Sequence, residues 1–274
     1  MPPPAARSDR GFALPLVIWT MTLLAVIALG VMAESRADLV VAHNLAGAAQ
    51  AEAAADGGVW RTIGLLLADR RGTQWRGDGS PHGFAVGAAT VSVAVQDEGG
   101  KVDLARADPQ VIGNLLRIAG VDDIAAQAAM ERLMAWRNAE AGDRTGTIAA
   151  AIADGRVLRR LKPFVTDYSR HAGIDPAMAP REVLLAIPGA QTADVDAYLG
   201  ARGQLPVGAS PLDDFPSLAA AMRYFLWSAG TIVTVTATAR VDGAVFTRAA
   251  LVDLAPPKHV PARAYDILAW ENPS

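Results

Sequence analysis

The chain opens with a polar stretch and then turns abruptly apolar. From Phe12 to Met32 there is no Asp, Glu, Lys, Arg or His. At about 1.5 Å rise per residue, roughly 20 such residues match a hydrocarbon core of about 30 Å, so the run predicts a single transmembrane helix. Pro15 falls in its first turn, where a missing N–H costs little. The helical pattern continues beyond the run. Glu34 to Arg71 places Leu39, Leu45, Ala49 and Ala53, then Trp60, Ile63, Leu66 and Leu67, at helix-compatible spacing, weakened at Gly57-Gly58. Arg70, Arg71 and Gly72 form a suitable helix end. One long helix, half in lipid and half in an outer domain, is expected.

Gly72 to Gly87 reads as a loop, rich in Gly, Ser and Pro. Ala89 to Gln96 alternates as a strand, Asp97 to Lys101 as a turn, and Val102 to Leu104 as a short second strand. Helices are expected at Asp108–Arg117, where an acidic cap precedes Pro109, and at Ile124–Arg137, Thr147–Leu161, Pro180–Ala186, Thr192–Arg202 and Leu212–Phe225. Thr231 to Val241 then alternates strictly, Asp242-Gly243 signals a hairpin turn, and Ala244 to Leu254 is the partner strand. A sheet interrupted by helices implies an all-α insertion between two strands of one domain.

Composition narrows the function. Of 274 residues, just over half are hydrophobic, enough for a sizeable core beyond the apolar run. The net charge of −3 argues against general nucleic-acid binding. There is no cysteine, which excludes disulfides, thiolate metal sites and cysteine nucleophiles. Arg7 and Arg10 outweigh Asp9 before the apolar run, so the positive-inside rule puts the N-terminus in the cytoplasm and the rest outside. A cleavable secretory signal is the competing reading. Its apolar core would be shorter, although Gly30 to Ala33 offers small residues.

Motifs for chemistry are sparse. His43, His82, His171 and His259 show no i, i+4 pairing and no HExxH. Ser80 near His82 lacks a defined nucleophile elbow, so an anchored hydrolase has no nameable catalytic set. Gly99-Gly100-Lys101 lacks phosphate-loop spacing and reads as a hairpin turn. Ile187-Pro188-Gly189, followed by Val195 and Leu199, resembles a helix-hairpin-helix turn, which can offer backbone N–H groups to DNA phosphates. The surrounding Arg181, Asp194, Asp196 and Arg202 form no basic patch. A membrane-anchored DNA-binding module in DNA uptake is the alternative function. Asp97, Glu98 and Asp103, or Asp213 and Asp214, offer oxygen atoms to calcium, with solvated turn acids as the bland reading.

Arg10-Gly11-Phe12 followed by an apolar helix resembles the prepilin peptidase site of type IV pilins and type II secretion pseudopilins. The resemblance implies cleavage between Gly11 and Phe12 and N-methylation of Phe12. Most such proteins carry Glu at the fifth mature position, where this chain has Leu16, and that departure resembles the K-type minor pseudopilins (general secretion pathway protein K). Asp97–Pro109, the Phe164–Gly189 stretch FVTDYSRHAGIDPAMAPREVLLAIPG and the ending YDILAWE are similar to the same family.

The implied fold is α+β and type IV pilin-like: a long N-terminal helix on a small antiparallel sheet, with a large all-α insertion. The implied segments are a leader over 1–11, the transmembrane half-helix over 12–33, pilin-like parts over 34–105 and 229–274, and the insertion over 106–228. The resemblance implies a non-enzymatic subunit at the tip of the periplasmic pseudopilus. There it would initiate and cap the filament that exports folded proteins. It would be anchored in the bacterial inner membrane, with I- and J-type minor pseudopilins, the major pseudopilin and prepilin peptidase as partners and no nucleic acid. Calcium is the one cofactor the resemblance raises.

Overall fold

The computed structural model describes residues 13–69, 75–139, 155–205, 211–227, 230–255 and 264–273. The leader, Gly11 and Phe12, the expected helix end at Arg70–Gly72 and the first part of the expected Thr147–Leu161 helix lie outside the described residues.

Helix α1, Ala13–Ala68, runs unbroken for 56 residues. Its first part exposes Leu14, Leu16, Trp19, Met21, Leu24 and Leu29, and its later part buries one face. Among the described residues no helix is long and apolar enough to cross a membrane. Leu14–Gly30 and Met32 of the uncharged run from Phe12 to Met32 are exposed.

The buried face of α1 lies across a five-stranded antiparallel sheet of order β1-β2-β5-β6-β7. Its strands are β1 (Asp78–Val86), β2 (Ala89–Asp97), β5 (Ile232–Val241), β6 (Ala244–Asp253) and β7 (Asp266–Glu271). Period-two alternation sends Val91, Val93, Val95, Val233, Val235, Ala237 and Ala239 inward, against Ala51, Ala55, Val59 and Ile63 of the helix. On the outer face Thr238 and Thr247 join hydroxyls across β5 and β6 at 3.0 Å. The β5–β6 turn is built as the Asp242-Gly243 pair predicts, both residues at positive φ (47° and 82°).

Small residues set the helix–sheet distance. A Cβ on Gly58 would stand 2.8 Å from Val91 Cγ1 and 3.2 Å from Ala237 Cβ, whereas one on Gly57 would meet nothing within 4 Å. Arg248 on β6 is the charged counterpart of this contact. Its guanidinium reaches Asp56 Oδ1 at 2.5 Å and Glu52 Oε1 at 2.7 Å on α1, and lies 5.4 Å from the Trp270 ring centre. Trp270 stacks on Trp60 at 5.3 Å.

The helical insertion leaves the sheet after β2 and returns at β5. It holds β3 (Val102–Asp103), α2 (Pro109–Ile118), α3 (Asp123–Asn138), α4 (Gly155–Leu161), β4 (Val165–Thr166), α5 (Arg181–Ala186), α6 (Thr192–Gln204) and α7 (Pro216–Ala219). It owns a separate core that includes Leu104, Leu115, Leu116, Leu133, Leu184, Tyr198 and Leu218. Asp108 and Asp122 cap α2 and α3 through their side chains, with Pro109 at the first position of α2.

Three expectations need correction. The loop expected at Gly72–Gly87 contains β1. Gly79, Pro81 and Gly83 hide its strand character, yet pairing with β2 supplies the backbone partners, and the register shifts between Asp78 and Pro81, where proline has no N–H to give. Gly99-Gly100-Lys101 is no hairpin. Glu98–Gly100 forms a 3₁₀ turn that leads into β3, which pairs in parallel with β4. The helix expected over Leu212–Phe225 breaks into 3₁₀ turns at Leu212–Asp214 and Met222–Tyr224 flanking α7, as Pro211 and Pro216 interrupt the ladder.

The adjacent glycines Gly57 and Gly58 on α1 should respond in opposite directions. Gly57→Ala should raise stability by about 0.5–1 kcal/mol, because the added methyl meets open space and helix propensity improves. Gly58→Ala should lower it by about 1–3 kcal/mol through overpacking against Val91. Urea titrations of the two variants measure both signs.

Candidate functional site

Two regions carry the features that bear on function: the exposed start of α1, and the root where the insertion joins the sheet. Of the expected processing residues, Gly11 and Phe12 lie outside the described residues. Leu16 is described. It sits on α1 with 56% of its surface exposed, beside other exposed apolar side chains and with no carboxylate in its place. Thr20 and Thr22 return their hydroxyls to backbone carbonyls of the preceding turn, so this segment meets its polar needs internally.

At the root, Asp97 stands opposite Val233 at the end of the β2–β5 ladder. It is buried, and its Oδ1 accepts from Gly99 N–H at 2.7 Å. Burial raises its pKa to about 6, aided by the neighbouring charges of Asp175 and Glu98 and opposed by N–H groups of Gly99 and Gly230. Glu98 and Lys101 form a buried ion pair at 2.5 Å, and Thr234 on β5 donates its hydroxyl to the same Glu98 oxygen at 2.6 Å. Gly100 packs on backbone: a Cβ there would stand 2.5 Å from the carbonyl of Met178. Gln96 donates to Gly77, Asp97 and Met178 carbonyls, and Asp175 N–H donates to Gly99 O, so the sheet and the Asp175–Ala179 segment are laced together.

Asp103 organises the neighbouring loops. It accepts from the N–H groups of Ala105, Arg106 and Arg170 and from the Ser169 hydroxyl. Asp167 lies close by. Burial raises its pKa to about 6, with Asp103 and Glu98 adding to the effect, and its Oδ1 is buried without a hydrogen-bond partner among the described residues. Buried Arg202 donates to Pro176 and Ala179 carbonyls at 2.8 Å, tying α6 to the same segment.

The carboxylates named for calcium do not assemble as a ligand set. Asp97 and Asp103 are bound to N–H and O–H donors, Glu98 is held by Lys101 and Thr234, and Asp213 and Asp214 sit apart in a 3₁₀ turn. Among the described residues no group of three or more His, Cys, Asp or Glu side chains is placed to hold a metal ion. His82 packs its ring on Trp75 at 4.5 Å, and Ser80 N–H is taken up locally by Asp78.

The helix-hairpin-helix-like turn is present. α5 and α6 flank Ile187-Pro188-Gly189, with Gly189 at φ +87° and Ile187 and Val195 buried. Arg181 at the start of α5 is engaged by Asp196 through two hydrogen bonds of 2.6 and 3.0 Å, which draws its charge away from any phosphate. Sequence reasoning missed the Arg248 clamp. Its trace was there: an arginine at an inward position of β6, and Glu52 and Asp56 four apart on one helix face.

The raised pKa of Asp97 gives stability a defined pH dependence. Its folded pKa exceeds the unfolded value of 3.8, so between about pH 4 and 6 the folded chain holds more protons than the unfolded one. Stability should therefore rise as pH falls from 7.5 to 5. Asp194 and Asp196, held below the usual range by Ser217 and Arg181, contribute losses only at more acidic pH. Thermal midpoints of the wild type should increase across this window, and Asp97→Asn should reduce the increase, leaving the share of Asp167, whose pKa is also raised to about 6.

No known family profile matches this chain. No curated protein matches it in sequence. Among solved structures it is similar to a chain of the GspK–GspI–GspJ complex from the type 2 secretion system of enterotoxigenic Escherichia coli. The identity is 14% and the TM-score 0.47, covering 87% of this chain and 99% of that one.

Proposed function

We propose that this chain is a minor pseudopilin of the K type, placed at the tip of the periplasmic pseudopilus of a type II secretion system. The observation that carries this reading is the division of α1. One continuous helix begins as an uncharged segment with large apolar side chains exposed and ends fastened to an antiparallel sheet through Gly58 and Arg248.

In this reading prepilin peptidase cuts between Gly11 and Phe12, and Phe12 becomes the methylated N-terminus. The apolar half of α1 stays in the inner membrane and then packs beside other pseudopilin helices. Small residues such as Ala25, Ala28 and Gly30 favour close approach in a medium that supplies no hydrophobic driving force. Leu16 suits a first subunit. A filament subunit uses its glutamate to neutralise a neighbour's amine, whereas an unpartnered carboxylate within lipid costs about 3 kcal/mol. The helical insertion enlarges the periplasmic head and obstructs stacking of another subunit above it. I- and J-type minor pseudopilins and the major pseudopilin are the partners, and export of folded proteins is the process served.

Two measurements test this. Co-expression with prepilin peptidase should give a mature chain that begins at Phe12 by N-terminal sequencing; a different start, or an unprocessed chain, overturns the reading. The processed chain should co-purify with I- and J-type pseudopilins of the same organism as one complex, and its failure to do so counts against the tip position.

A further inference from the structure

The outer surface of the insertion holds a feature that the filament reading does not use. An open groove of about 640 Å³ runs between the start of α2 and the 172–173 and 223–224 segments, with Arg106 and Arg223 on its walls. It shares Pro109 and Gln110 with a second groove of about 610 Å³ that continues past Arg117 to Pro188 and Gly189. The pair of grooves, here the trough, has the N-terminal end of α2 as a common wall.

Three arginines line this trough against a single acid, Asp108, and that carboxylate is spent capping Gln110 N–H at 2.8 Å. The guanidiniums are only partly engaged, and Arg223 donates to the Tyr224 hydroxyl at 2.5 Å. Arg223 is exposed and lies over its neighbour Tyr224 at 4.6 Å from the ring centre, and Arg106 is half exposed with its acidic contact, Asp103, at 3.9 Å. Arg117 bonds the neutral Asn114.

The rim is apolar. Met222, Leu226 and Trp227 are each 40–45% exposed in the stretch that carries Arg223. That stretch is held rigidly. Leu226 N–H donates to Ile174 O at 3.0 Å, and Gly173 packs so tightly that a Cβ would meet Leu226 Cβ at 2.7 Å. Met, Trp, Tyr and Arg together are the residues enriched at protein interfaces, and Trp, Tyr and Arg dominate their energetic centres.

We propose that this trough is a docking site for an extended, acidic segment of a partner polypeptide, whose carboxylates meet Arg106 and Arg223 and whose apolar side chains cover Met222, Leu226 and Trp227. Charge complementarity selects the acidic occupant, and two open grooves that share Pro109 and Gln110 suit an extended one. Planar guanidiniums recognise carboxylates through paired N–H groups, which gives direction as well as attraction. None of these residues takes part in processing or in helix packing, so the site stands or falls apart from the filament reading.

The test uses the full-length chain in dodecyl maltoside micelles and a fluorescein-labelled peptide of alternating Glu and Leu, read by anisotropy. Binding is expected, weakened about tenfold or more by Arg106→Gln with Arg223→Gln, while Arg181→Gln leaves it unchanged. The same peptide with Gln for Glu should lose affinity to the same extent, a comparison made on the wild-type fold. The proposal is overturned by an absence of binding at about 1 mM peptide, or by equal affinity for the Gln peptide. It is equally overturned if inorganic phosphate displaces the peptide while acetate at the same concentration leaves it bound, since the groove would then be a phosphoryl site.

Discussion

Antiparallel pairing of β2 with β5 holds this molecule together as one unit. Asp97, the last residue of β2, faces Val233 near the start of β5, so the insertion leaves and re-enters the sheet at adjacent points. The ladder therefore closes a long excursion of chain, and closure entropy grows only slowly with loop length. Once that cost is met, the insertion can be large, because its own apolar core stabilises it independently of the sheet. The register also places Thr234 beside Glu98, so that side chains from both roots share one buried ion pair.

Burying charge at such a root is costly, and the structure reduces the cost with hydrogen bonds from the protein itself. Asp97, Glu98, Asp103 and Lys101 are nearly inaccessible, and donors from several loops converge on them. Removing one partner of a buried pair leaves an uncompensated charge, which makes the arrangement all-or-none. Such geometry specifies how the two parts meet more than it adds to net stability. The orphaned oxygen of Asp167 and the raised pKa values of Asp97 and Asp167 show where the compensation stops short.

Helix α1 carries two kinds of surface in one element. Its upper part has no charged residue from Leu14 to Gly30 and exposes its large side chains, while its lower part trades side-chain bulk for close approach to the sheet. Arg248 then fixes the rotation of the helix, because Glu52 and Asp56 reach it only from one face. A helix so clamped at one end projects its apolar end in a defined direction.

Elements governed by local periodicity were legible in advance. The uncharged run, the alternation of Val233 to Val241 and the Asp242-Gly243 turn are each decided within a few residues, and so is the Asp108-Pro109 helix start. Segments whose conformation depends on distant partners were not. β1 reads as loop because Gly79, Pro81 and Gly83 have no strand preference of their own and take it from β2. β4 becomes a strand through Val102 and Asp103, far earlier in the chain, and the 212–225 segment is divided by prolines and by packing on the insertion core. The same separation holds at the sites. By itself the sequence determined the apolar run, the Gly11-Phe12 pair at its start and a leucine at position 16. Only the tertiary structure decided that Asp97 and Glu98 are buried, that Arg181 is occupied by Asp196, and that Arg106 and Arg223, distant in the chain, line one groove. Periodicity and charge are local properties of a chain, whereas burial and juxtaposition exist only after folding has brought remote segments together.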